Sequence, residues 1–181
     1  MNVWRITGWG LVVALLITPA VAMRFTTEVD WDAFDFIVAS ILLGGTGLFI
    51  EFAVRLSSNG AYRMGMVLAI LASLLLIWMN LAVGIIGSED HPANLMYLGV
   101  IGIALVSSVF VGGRASAMSW VMVTTAVAQL SISIIALALS LSVDLKPAFF
   151  LNSAFAILWL VSAGLFKVAA DSYDKATMKQ E

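Results

Sequence analysis

The chain has 181 residues, of which 62% are apolar and 11% charged, and nine Lys and Arg against eleven Asp and Glu leave a net charge of −2. A soluble domain averages roughly 45–50% apolar and about 25% charged, so this chain cannot cover a water-facing surface and belongs to the membrane class. The near balance of charge argues against nucleic acid and acidic substrates; the lack of cysteine excludes disulfides, iron–sulfur ligation and thiolate chemistry, and a single histidine excludes a bis-histidine haem or a metal site built mainly on imidazole.

A spanning helix needs about 20 predominantly apolar residues. Six stretches qualify, and none alternates as a barrel strand does. The first runs from near Thr7 to Met23 and precedes Arg24 and an acidic stretch. It has a second reading: Arg5, an apolar run and Thr18-Pro19-Ala20-Val21-Ala22 also fit a secretory signal with an Ala-x-Ala cleavage site. Cleavage would leave five spans in the same orientation. The second span, about Asp35 to Arg55, ends at Ser57-Ser58-Asn59-Gly60, which is turn chemistry. The third, about Met64 to Gly87, ends in Ser88-Glu89-Asp90-His91-Pro92. The fourth runs from about Asn94 to Gly112, the fifth from about Ser119 to Val143, and the sixth from about Ala148 to Ala170. A polar tail, Asp171 to Glu181, follows. The expected architecture is an all-α polytopic transmembrane bundle of about six spans with short loops, forming one domain over residues 1–181.

Orientation follows from the basic residues. Arg5, Arg55, Arg63, Arg114, Lys167, Lys175 and Lys179 lie on the side shared by both termini, and Arg24 and Lys146 on the other. Both termini are therefore expected in the cytoplasm. Trp4, Trp9, Tyr62 and Trp120 suit the inner interface, and Trp31 and Tyr97 the outer one.

Small and polar residues recur at helical spacing within the spans, as packing faces do in lipid. Ser40, Gly44, Gly47, Glu51 and Arg55 form such a stripe in the second span. Ser73, Asn80, Gly84 and Gly87 form one in the third, and Thr125, Gln129, Ser133 and Ser140 one in the fifth. In the sixth, Asn152, Ala156, Trp159 and Ala163 do the same. These stripes suggest one common interior, read either as helix packing or as a polar path. Glu51 is the leading intramembrane charge, with Arg55 at i+4 as its expected partner. Pro19 and the glycines of the second span are the expected places for a helix to be interrupted.

The segment Gly87 to Asn94 is the densest polar cluster, and Glu89, Asp90, His91 and Asn94 are its candidates. Two carboxylates beside an imidazole suit a pH-responsive or metal-binding group. The structural alternative is that Ser88 or Asp90 caps the next helix and Pro92 begins it. Contiguous Glu-Asp-His is poor spacing for a metal, and no metal or cofactor is expected. In the first loop, Asp32 suits a helix cap amid Glu28, Asp30 and Asp35.

Trp78 to Tyr97, with Gly87-Ser88-Glu89-Asp90 as its most specific part, Ala61-Tyr62-Arg63 and the Glu51 to Arg55 stretch together resemble a family of uncharacterised small bacterial membrane proteins. The resemblance covers most of the chain and implies a bacterial inner-membrane location. It brings no activity with it.

Phosphate-loop, His-Glu-x-x-His and Gly-x-Ser-x-Gly motifs are absent, and short loops leave no room for a catalytic domain. The expectation is a non-enzymatic accessory or scaffolding component, or a homo-oligomer, whose partners are the bilayer and other membrane chains. One alternative is a small-solute or ion channel or transporter using Glu51, Asn80, Gln129 and Asn152. Another is an external pH or metal sensor at Glu89, Asp90 and His91.

Overall fold

A computed structural model describes residues 3–141 and 146–178. Among these residues there is no strand, and six helices are long and apolar enough to cross a membrane. They are α1 (Val3–Ala22), α2 (Ala33–Leu56), α3 (Gly60–Ala82), α4 (Met96–Phe110), α5 (Ala115–Ala138) and α6 (Lys146–Met178), and the fourth reaches spanning length as Pro92–Phe110, because a one-turn 3-10 helix at Pro92–Leu95 leads into α4. The all-α six-helix architecture is that expected from hydropathy. The single domain expected from the sequence comprises two compact units, Met1–Phe52 and Ala53–Glu181.

The first unit holds α1 and most of α2. Helix α1 runs unbroken through Pro19, and α2 through its glycines, so neither breaks where the sequence allows it. The start of α2 is a reciprocal cap. Asp32 Oδ1 accepts from the Phe34 and Asp35 backbone N–H groups at 2.7 and 3.0 Å, and Asp35 Oδ2 accepts from Asp32 N–H at 2.9 Å. That exchange satisfies donors that a helix start leaves unpaired. Trp31 and Phe36, which flank the cap, pack edge to face at 5.3 Å and set the angle at which the chain meets the helix.

In the second unit, α6 packs against both α5 and α3, and α4 packs on α5. Ser119 meets the Ala163 carbonyl while Gln129 meets Asn152, so α5 and α6 are antiparallel. Tyr62 stacks edge to face on Phe166 at 5.1 Å and Ser162 donates to the Gly65 carbonyl at 2.9 Å, so α3 is antiparallel to α6 as well. Close approach at that crossing depends on Gly65, where an added Cβ would lie 3.3 Å from the Phe166 ring. The buried core runs through all four helices and includes Leu76, Tyr97, Met118, Met122, Trp159 and Phe166.

Several boundaries differ from the sequence reading. Helix α3 stops at Ala82 rather than Gly87, because Gly84 and Gly87 adopt positive φ and turn the chain back. Helix α5 ends at Ala138, and the expected stop at Val143 and Asp144 lies outside the described residues. Helix α6 continues to Met178, so the described part of the expected polar tail is helical. At about 1.5 Å per residue its 33 residues exceed the ~30 Å of hydrocarbon. Part of α6 therefore projects, and Tyr173 and Ser172 there bond Ser57 and Asn59 of the α2–α3 turn at 2.7 and 2.8 Å.

Candidate functional site

Three polar clusters are built by these elements. The first lies in the Met1–Phe52 unit. Arg5 Nε–H and Nη2–H donate to the two oxygens of Glu51, each at 2.8 Å, and Trp9 Nε1–H donates to Glu51 Oε1 at 3.1 Å. Trp9 stands one turn beyond Arg5, so α1 presents both donors on one face. Across from them, the indole of Trp9 closes over Gly47, where a Cβ would come within 3.3 Å of the ring. A bidentate guanidinium–carboxylate pair is the strongest neutralising contact that a membrane-level carboxylate can find. The partner expected from i+4 spacing is Arg55, but this clasp to Glu51 comes from Arg5, 46 residues away. Arg5 and Trp9 were legible only as an interfacial cation and aromatic.

The second cluster lies inside the four-helix unit. Gln129 Nε2–H donates to Asn152 Oδ1 at 2.7 Å, and Asn152 Nδ2–H donates to Ser133 Oγ at 2.9 Å and Tyr97 OH at 3.1 Å. Gln129 and Asn152 have no solvent exposure, and Tyr97 has almost none. The stripes of α5 and α6 therefore do converge, and α4 joins them through Tyr97. This corrects the expectation for Tyr97, whose ring is turned into the bundle and not toward an interface. Tyr62 is likewise buried, its hydroxyl donating to the Gly113 carbonyl at 2.7 Å.

The third cluster is the segment between α3 and α4. Asn94 organises it from a buried position. Its Oδ1 accepts from Ile85 and Ile86 N–H at 3.2 and 2.9 Å, and its Nδ2 donates to the Ser88 and Ile86 carbonyls at 2.7 and 3.3 Å. Asn80 Nδ2–H donates to the Asn94 carbonyl at 2.9 Å, tying the segment to α3. Positive φ at Gly84 admits only glycine, since a Cβ would meet the Ser88 carbonyl at 2.5 Å. The cap of the following turn is His91, whose Nδ1 accepts from Ala93 N–H at 3.2 Å, with Pro92 at the first position. Ser88 and Asp90, the capping residues expected from the sequence, do not fill that role. Glu89 and Asp90 are exposed, and among the described residues no three His, Asp or Glu side chains gather where a metal ion could sit.

Fold and clusters together define an all-α protein with six helices of membrane-spanning length and apolarity, whose polar side chains are largely spent on one another. Comparison with protein-family models, with curated proteins and with solved structures finds no match.

Proposed function

We propose that the chain is a non-enzymatic integral membrane component of a bacterial inner membrane, with both termini cytoplasmic, that acts by contact with other membrane-embedded helices. It serves as an accessory or scaffolding subunit, or as a homo-oligomer. One observation carries this reading. Two of the four groups that a channel or transporter would use are fully engaged: Glu51 by Arg5 and Trp9, and Asn152 by Gln129, Ser133 and Tyr97. Meanwhile a Cβ added at Gly44 or Gly45 of α2 would meet open space, which leaves room for a foreign helix backbone.

The test is the native mass and composition of the 19.3 kDa chain extracted gently from its membrane. The expected result is a stoichiometric complex, either with a second protein or with further copies. A lone monomer that supports a solute or ion flux in liposomes, abolished by Glu51→Gln, would overturn the proposal.

A second reading, sensing at the α3–α4 segment, is supported by His91 itself. Its imidazole caps the turn that leads into α4, so a change at this ring reaches the start of that helix. Replacing His91 with Ala should flatten any acid-dependent response of the intact complex. An undiminished response would remove this reading.

A further inference from the structure

The interior of the four-helix unit contains a polar seam between α5 and α6 that protein atoms alone do not complete. Along α5 it carries Gln129 and, one turn earlier on the same face, Thr125; both have no solvent exposure. Along α6 it carries Asn152 and Trp159, and Ser162, which turns from the seam toward α3, is equally closed to solvent. Most of these groups are paired. Thr125 donates to the Val121 carbonyl at 2.9 Å, and Ser162 to the Gly65 carbonyl. Two groups are not. Gln129 Oε1 and the Trp159 indole N–H are buried and have no hydrogen-bond partner among the described residues.

An orphaned amide or indole group costs several kcal/mol in a hydrocarbon setting, where no lipid tail can satisfy it. Reorienting the amides does not remove the problem. If both Asn152 and Gln129 were turned end for end, Asn152 Oδ1 would accept from the Tyr97 and Ser133 hydroxyls. Its amide hydrogen would then point at Gln129 Oε1, and the Gln129 NH2 group would be left without a partner instead. Either way the far end of the Gln129 amide requires a small partner.

We infer that the α5–α6 seam is a binding site for internal water, fixed on the Gln129 amide and accepting from the Trp159 indole. The chemistry selects water over an ion. Every group of the seam is neutral, and a bare ion would leave its charge uncompensated in low dielectric. Water satisfies donors and acceptors alike and is the usual occupant of such buried polar sites. Thr125 Oγ1, which donates to Val121, keeps acceptor capacity toward the same seam. The inference goes beyond the scaffold reading, since fixed water conducts nothing.

The test uses the full chain in lipid nanodiscs with 15N-labelled tryptophan and glutamine. Trp159→Phe and Gln129→Leu identify the two side-chain signals by their loss. Magnetisation transfer from water should reach both the Trp159 indole proton and the Gln129 carboxamide protons. A water-soluble paramagnetic agent should leave both unbroadened. Absence of transfer to either group would overturn the inference, because the seam would then be dry there. Transfer accompanied by paramagnetic broadening would overturn it too, since the water would then be solvent in an open path.

Discussion

At Glu51 the sequence offers a nearby cation, Arg55, and the structure adds a distant one, Arg5. The reason is geometric: Arg5 reaches both carboxylate oxygens with a planar fork, and Trp9 adds a third donor from the next turn. Glu51→Gln should therefore destabilise the protein measurably. A fully buried pair broken from one side costs about 3–5 kcal/mol, but Arg5 is 38% exposed, so solvent screening leaves only a small part of that. Denaturant unfolding in detergent measures it, and Arg5→Gln combined with Glu51→Gln should cost less than the two singles added. Asn94 is the more critical residue. Asn94→Ala strands the Ile85 and Ile86 N–H groups inside the protein, at about 1–3 kcal/mol per orphan. A loss of about 2–4 kcal/mol is expected, with faster hydrogen exchange confined first to residues 83–91. If exchange there were unchanged, Asn94 would not be what holds the segment.

At the scale of elements, spans were legible and their ends were not. Six apolar runs of the right length sufficed for six helices, because lipid leaves a backbone no other way to satisfy itself. Val83-Gly84-Ile85-Ile86-Gly87 shows where that logic stops. It is as apolar as the helix before it, and Ile85 and Ile86 are buried, but two glycines at positive φ fold it into a loop whose amides Asn94 satisfies. Composition measures burial here and says nothing of backbone geometry. The convergence of α5 and α6 was readable from Gln129 and Asn152, since their spacing put each on its helix's small-residue face. Tyr97 was not, because a tyrosine near a helix end suits either an interface or a core. Reading glycine stripes as packing faces likewise mixed unlike cases. Gly84 serves a turn, Gly65 a crossing within the unit, and at Gly44 an added Cβ would meet open space. Substitution separates the last two. Gly65→Leu pushes atoms into Phe166 and should cost about 1–3 kcal/mol or more of intrinsic stability. Gly44→Leu should leave unfolding of the isolated chain within about 0.5 kcal/mol of the parent. On the contact reading it should nevertheless reduce the native mass of the assembly. Normal assembly after Gly44→Leu would remove this face of α2 from the proposed interface.

For the whole molecule, the distribution of Lys and Arg makes a directional claim that can be measured without perturbing the fold. Helix α3 has 23 residues, about 34 Å by its rise, enough to cross the ~30 Å hydrocarbon core between the turns that hold Ser58 and Ser88. Both serines are exposed, and the chain has no cysteine of its own, so single substitutions report cleanly. Ser88→Cys should react with a membrane-impermeant maleimide on intact bacterial cells, while Ser58→Cys should react only after lysis. That pattern follows from the positions of Arg55, Arg63 and Arg114, which flank turns on the Ser58 side, against the acidic pair Glu89 and Asp90 beside Ser88. The reverse pattern would invert the molecule and place the α3–α4 segment, with His91, in the cytoplasm. The sensor reading would then lose its external stimulus, whereas the contact reading, which needs only the helix faces, would stand. Labelling of both positions on intact cells would mean that α3 does not span, and the six-span topology would fall with it.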